Sequence, residues 1–335
     1  MIDLREHKRS EPFQRNESLE NFLAVVNEAL QPAERLWLAD QRNRESLHPI
    51  VFVMGPLRSG TTLFTQWLAS TGICAYPTNL LSRFFGAPVL GAMIQLLLTD
   101  ERYNFRNEIF DFNRPIDFQS ENGKTLGALA PNEFWYFWRR FIPFKELDWL
   151  PDEELLRSVD TYTLVSELNA LTRIFNKPFA MKGMILNYNI PFLDQIFERA
   201  LFIQMYRDPV ANVASVLEAR RRQHGDESVW YSFRIPEYPE LQTLDALDQS
   251  AGQIFCINRA VSLGLAGVED SRKLFVEYEE FCNDPAAVYE KLIAKLAIPS
   301  ASLPYHGVRR FQASGAPGSD TAREIANALA RFQTK

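Results

Sequence analysis

A chain of 335 residues with 46% hydrophobic content buries a substantial core, which excludes disorder for most of its length and fits one large α/β domain or a domain carrying an insertion. A net charge of −6 and a sequence pI near 5.5 give no general attraction to nucleic acid or to an anionic membrane, so any anion site must be local. The three cysteines, Cys74, Cys256 and Cys282, lie far apart and form no C-x-x-C pair, which argues for a reducing compartment and against structural zinc.

The charged start, MIDLREHKRSEPFQRN, is followed by no hydrophobic signal core. The longest apolar run, Phe84 to Leu98, is shorter than about 18 residues and is broken by Pro88 and two glycines. The expectation is a cytoplasmic protein without a transmembrane segment. Leu19, Phe22, Leu23, Val26, Leu30, Leu36 and Trp37 recur at helical spacing and predict a helical N-terminal segment within residues 1–48.

Ile50 to Met54 form a short apolar, β-branched-rich run, the pattern of a strand covered on both faces. Gly55 and Gly60 then bracket Pro56, Leu57, Arg58 and Ser59, and a helix opening on Thr61 and Thr62 stops near Gly72. Such glycines let the backbone approach a ligand while the new helix points free N–H groups at an anion. Residues 73–178 are aromatic and helix-patterned, with a cluster from Phe134 to Trp138 and an amphipathic stretch from about Asp152 to Phe175. They read as a helical insertion lying over the site as an acceptor lid, the cluster serving either as a stacking wall or as core.

Phe179 to Met184 predicts a second strand. Leu201 to Tyr206 is a third, running into Arg207-Asp208-Pro209, where Asp208 suits an N-cap and Pro209 the first helical position. Val210, Val213, Ala214 and Leu217 mark the expected buried face of that helix, and Arg220, Arg221 and Arg222 suit its C-terminal end. Lys273 to Tyr278 predicts a further strand, followed by Asp284-Pro285 and a helix to about Leu296. Residues 314–320, SGAPGSD, read as a mobile loop before a last helix from Thr321 to Phe332. Strands alternating with helices call for a parallel sheet with right-handed crossovers in a single domain, 1–335.

The spacing Gly55-x4-Gly60 is that of a P-loop, yet Thr61 stands where a nucleoside-triphosphate loop carries lysine. That argues against a triphosphate, while Arg58 still supplies a cation. The stretch G-P-x-R-S-G-T-T-L resembles the 5′-phosphosulfate loop of sulfotransferases that use 3′-phosphoadenosine 5′-phosphosulfate (PAPS). The later stretch Y-R-D-P-V-A-N-V-A-S-V resembles the same family's R-D-P-x5-S pattern, and V-E-Y-E-E with Asp284-Pro285 resembles its Y-E-D-x-x-x-x-P segment.

The resemblance implies a P-loop-type three-layer α/β fold with a central parallel β-sheet, PAPS as co-substrate, no metal, and a small-molecule or glycan acceptor bearing a hydroxyl. It assigns Arg58, Ser59, Gly60, Thr61 and Thr62 to the 5′ end of the donor, Arg207 and Ser215 to its 3′-phosphate, and Tyr278 to the adenine. Arg309 and Arg310 loosely resemble a C-terminal basic segment that closes over the 3′-phosphate. Taken singly, Arg207 also fits an ion pair, Ser215 a solvated helix position and Tyr278 a core aromatic.

Sulfuryl transfer asks for positioning and charge stabilisation, roles open to the loop amides, Arg58 and Lys182. The base is less legible. One branch of the family places a histidine after the lysine, but Lys182-Gly183-Met184-Ile185-Leu186-Asn187 has none, and the glutamate of another branch is missing from Tyr76 to Leu80. Glu133 is the remaining candidate, because an acid flanked by aromatics is expected to be desolvated with a raised pKa; it equally suits a helix N-terminus. His224 and His306 are weaker alternatives, and His7 and His48 have no supporting context. Two other readings stay open: a P-loop kinase with Asp208 holding a metal, and an inactive nucleotide-binding scaffold.

Overall fold

The computed structural model describes residues 16–40, 48–104, 124–143, 148–299 and 303–333, together with 109, 112, 118, 120 and 121. His7 lies outside the described residues, as do positions 41–47, the latter part of the predicted N-terminal segment.

Four parallel strands form the centre, β1 (Ile50–Met54), β4 (Phe179–Lys182), β5 (Leu201–Tyr206) and β6 (Lys273–Glu277), in the order β4-β1-β5-β6. Val51 lies opposite both Ala180 and Leu201, so β1 is flanked on either side. A short hairpin, β2 (Ser120–Glu121) and β3 (Lys124–Thr125), stands apart. Because the chain leaves β1 toward opposite sides to make β4 and β5, a crevice opens at the C-terminal ends of these strands, where parallel sheets place ligands.

The helices are α1 (Glu17–Asp40), α2 (Thr61–Thr71), α3 (Pro88–Thr99), α4 (Trp135–Phe141), α5 (Asp152–Ser158), α6 (Thr161–Phe175), α7 (Ile190–Ile196), α8 (Pro209–His224), α9 (Tyr238–Leu241), α10 (Ala246–Ala266), α11 (Tyr278–Asn283), α12 (Pro285–Lys295) and α13 (Ser319–Gln333). Successive strand residues point to opposite faces. Phe52, Met54, Phe179 and Phe202 meet Phe137, Trp138, Leu164, Leu168 and Leu171 on one side. Val51, Val53, Ile203 and Met205 meet Phe64 and Trp67 of α2, Phe281 of α11 and Ile293 of α12 on the other. A third cluster joins α8, α10 and α13 through Val213, Val216, Ile254, Ile325 and Leu329.

Several expectations change. The amphipathic stretch from Asp152 is two helices, because Asp160 caps a new one by accepting the Thr163 N–H at 3.0 Å. Within residues 73–178, α6 packs on β1 and β4 and so forms part of a layer flanking the sheet. Phe134, Phe137 and Trp138 are fully buried and therefore core, leaving Trp135 and Tyr136 half-buried. On α8 the buried residues are Ala211, Asn212, Val213, Val216, Ala219, Arg220 and Gln223, while Val210, Ala214 and Leu217 are only partly covered at the margin of the cluster that α8 makes with α10 and α13. Tyr278 opens α11 instead of ending β6, and α13 begins at Ser319, inside the expected loop.

Candidate active site

The site is built on the loop between β1 and α2. Gly55 has φ 143° and Gly60 φ 91°, both outside the comfort of an L-residue. A Cβ on Gly55 would sit 2.5 Å from the Met205 carbonyl oxygen, and one on Gly60 would sit 2.2 Å from the Tyr278 ring. The glycines thus let the loop lie flush against β5 and against Tyr278. Arg58 also adopts a left-handed backbone, φ 61°, a strained state for a residue with a side chain.

That conformation is held from several directions. The Asn187 side chain accepts the Gly55 N–H at 2.9 Å and donates to the Gly55 carbonyl at 2.9 Å. Asn212 of α8 donates to the Leu57 carbonyl at 2.8 Å. The Ser59 hydroxyl donates to the Pro56 carbonyl at 2.7 Å and is fully buried, so this side chain braces the loop. Arg207 donates from Nη1 to the Arg58 carbonyl at 2.9 Å, across the strained residue itself. Neither asparagine was singled out from the sequence; a polar residue inside the apolar M-I-L-N and V-A-N-V runs is the signal that marks them.

Asp208 caps α8 as expected, accepting the Ala211 N–H at 2.8 Å with Pro209 at the first position. This delivers Arg207, 4% exposed, to the mouth of the loop. Its guanidinium carbon lies 5.0 Å from the centre of the Tyr278 ring, and its Nε is buried without a partner. Burial pushes the Arg207 pKa down, with the neighbouring Arg58 cation adding to it. Arg58 in turn donates from Nε to the Ser215 hydroxyl at 3.2 Å. Arg58, Arg207, Ser215 and Tyr278, spread over the sequence, therefore converge, and the Tyr278 hydroxyl lies 3.5 Å from that of Ser314. Among the described residues neither arginine is ion-paired to a carboxylate.

On the other flank, Lys182 ends β4 and donates from Nζ to the Thr62 hydroxyl at 2.8 Å and to Glu133 Oε1 at 3.0 Å. Lys182 thus bridges Glu133 and Thr62 of α2. The desolvation expected of Glu133 from its aromatic neighbours is missing: its side chain is 43% exposed, since those rings turn into the core. The turn preceding it is pinned by Asn132, which donates to Asn79 Oδ1 at 2.8 Å.

Thr61 opens α2 at the loop. Arg309 and Arg310 are exposed, on a segment anchored by Tyr305, which accepts from the Trp67 indole at 2.9 Å, and by Phe311, whose N–H donates to the Cys282 carbonyl at 2.8 Å. His224 ends α8 and His306 is exposed, while His48 pairs with Asn176 at 3.2 Å. Among the described residues no cluster of potential metal ligands occurs and no helix is long and apolar enough to cross a membrane. Cys74 and Cys282 are buried and all three cysteines are free thiols.

A glycine-bounded strand–loop–helix turn at the C-terminal edge of a parallel sheet, with two convergent arginines beside it, defines an α/β protein of the P-loop type. The model of the sulfotransferase family matches residues 49–302, and the chain belongs to that family. Similar solved structures include sulfotransferase STF1 from Mycobacterium tuberculosis H37Rv, at 14% identity and TM-score 0.50 over 91% of this chain and 78% of that one. Others are STF9 from Mycobacterium avium (15%, TM-score 0.49, 90% and 80%) and a sulfotransferase from Alicyclobacillus acidocaldarius (16%, TM-score 0.43, 85% and 94%). At such identities the likeness to STF1 shows the shared fold alone. A search of curated proteins found no match.

Proposed function

We propose that this sulfotransferase takes its sulfuryl group from PAPS and passes it to an acceptor hydroxyl. The observation that carries this reading is the pair of neighbouring arginines: Arg207 is buried with an unpartnered Nε, Arg58 shares Ser215, and among the described residues neither forms an ion pair with a carboxylate, the Glu279 charge acting on Arg207 only from beyond that range. Two cations side by side, only partly compensated, are costly unless an anion completes them. The residues fit a nucleotide bearing phosphates at both ends of its ribose: Arg207 and Ser215 toward the 3′-phosphate, the Tyr278 ring toward the base, and the α2 amides with Thr61 and Thr62 toward the 5′ end. Arg309 and Arg310 are assigned to the same donor by sequence resemblance alone.

The acceptor oxygen forms its bond to sulfur as the bond from sulfur to the 5′-phosphate oxygen breaks. The acceptor proton passes to the Glu133 carboxylate, and the leaving phosphate departs with the bonding pair. Lys182, held between Thr62 and Glu133, places its positive charge where the sulfonate oxygens gain negative charge. A kinase reading loses support because the Asp208 carboxylate is spent on capping α8.

Calorimetry with 3′-phosphoadenosine 5′-phosphate (PAP), with 5′-AMP and with ATP plus Mg²⁺ tests the donor. PAP is expected to bind most tightly, and Arg207→Ala to weaken PAP by ten-fold or more while changing 5′-AMP far less. Tighter binding of ATP with metal, or equal losses for PAP and 5′-AMP, overturns the assignment.

A further inference from the structure

Every carbonyl of the loop from Gly55 to Arg58 accepts a hydrogen bond from a side chain. Asn187 donates to that of Gly55 at 2.9 Å, the Ser59 hydroxyl to that of Pro56 at 2.7 Å, Asn212 to that of Leu57 at 2.8 Å and Arg207 to that of Arg58 at 2.9 Å. A trans peptide is a rigid plane with its carbonyl and its N–H on opposite edges, so a donor that fixes the one aims the other. Among the described residues the amides of Arg58, Gly60, Thr61 and Thr62 make no hydrogen bond, and they are the donors left for an anion.

The Leu57–Arg58 peptide is the strained link in this row. Arg58 keeps φ 61°, the left-handed region that residues with a side chain avoid, and a left-handed residue among successive amides is the geometry of an anion-binding nest. Turning this one peptide over by about 180° shifts the φ of the residue after it by about the same angle and returns Arg58 to the ordinary negative range. The relaxed loop then presents the Leu57 carbonyl oxygen where the Arg58 amide stood, a partial negative charge in place of a donor. Asn212 opposes that turn, and among the described residues its Nδ2 is the only partner of the Leu57 carbonyl.

The surroundings of Asn212 argue that its amide is there for the loop. It is fully buried on α8, and its Oδ1 has no hydrogen-bond partner. A buried acceptor left unpaired is costly, and a leucine of similar size carries no such atom. Three residues along the same helix, on the neighbouring face, the Ser215 hydroxyl accepts from Arg58 Nε at 3.2 Å. Thus α8 holds Arg58 twice, by the peptide before it through Asn212 and by its side chain through Ser215.

Resting on the proposed donor, we propose that Asn212 is a positioning residue for its 5′ end: it holds the Leu57–Arg58 peptide with the carbonyl toward α8 and the amide toward the 5′-phosphate, against the relaxation of Arg58.

The test is calorimetry on the full chain with PAP, 5′-AMP and adenosine 3′-monophosphate, joined to a crystal structure of the unliganded variant. Asn212→Leu is expected to weaken PAP and 5′-AMP by about ten-fold and to leave the 3′-monophosphate within about two-fold, the reverse of the selectivity expected for Arg207→Ala. In the crystal Arg58 is expected at negative φ. A role in packing alone would weaken all three nucleotides alike. Asn212→Ala decides, by the same measurements, if the leucine variant does not fold. Unchanged affinity for 5′-AMP, a loss shared equally by the three nucleotides, or an Arg58 that stays left-handed overturns the proposal. Failure of the wild type to bind PAP instead removes the donor assignment and leaves the Arg58 backbone angle to judge Asn212.

Discussion

Glu133, the proposed base, does not owe its surroundings to the aromatic residues beside it in sequence. Its aromatic neighbours face the core, so its environment is set by Lys182 at 3.0 Å and by solvent. Glu133→Gln keeps an oxygen to accept from Lys182 while removing the proton acceptor. With the acceptor identified by sulfation of a broad alcohol panel, turnover is expected to fall by 10²–10⁴-fold with PAP affinity unchanged. Unaltered turnover would take the base role away from Glu133. Ser59 teaches a related lesson, because motif position suggested a ligand contact and the structure gives its hydroxyl to Pro56.

Among the elements, α1 is attached by polar groups as much as by apolar packing. Glu34, 2% exposed, accepts the N–H groups of Val89 at 2.8 Å and Leu90 at 3.0 Å, capping the first turn of α3, and Asn27 accepts the Gly86 N–H at 2.6 Å. Burial pushes the Glu34 pKa up to about 7 against an ordinary 4.5, with those two amides pulling the other way. A folded-state pKa above the unfolded one means the folded chain holds its proton more tightly. The resulting stability is complete below about pH 4.5 and is lost as pH rises through about 7, a change of about 3 kcal/mol from this group. Urea unfolding of wild type and Glu34→Gln across pH 4.5–8 is expected to differ by such a slope. Parallel profiles would show that Glu34 does not titrate in this window. The raised carboxyl of Asp152 contributes to both proteins and cancels in the comparison, whereas Glu167, whose charge helps to raise Glu34, is coupled to it and belongs to the difference.

For the whole molecule, α8 ties the loop after β1 to the body of the fold. It carries Ser215, bonded to Arg58, and further along the fully buried Arg220, which donates to the Glu227 carbonyl and to Gln249. The Tyr278 hydroxyl in addition faces Ser314 of the C-terminal segment. Ligation by PAP is therefore expected to protect residues 55–62, 207–215 and 278 together in hydrogen exchange and to raise global stability by about 2.7 kcal/mol at a hundred-fold excess over Kd. Protection confined to residues 55–62 would show that the second arginine does not share the ligand.

The local grammar of the chain was legible because it rests on short-range physics. An apolar run ending in bracketing glycines dictates a strand and a tight loop, Asp208-Pro209 and Asp284-Pro285 dictate helix starts, and all four strands of the sheet were located from such signals. The motif residues Arg58, Arg207, Ser215 and Tyr278 were picked out by the family resemblance, not by local physics, and the structure brings them together. Which side chains meet across the fold was not legible, because sequence spacing carries no information on contacts between distant elements. Only the packed structure pairs Glu133 with Lys182, sets Asn187 and Asn212 on the loop, turns Phe134, Phe137 and Trp138 inward and buries Arg220, which the sequence matched only to the C-terminal end of its helix. Each of these depends on which arc of a helix its neighbours cover, a property of the assembled layers and of no single stretch of chain.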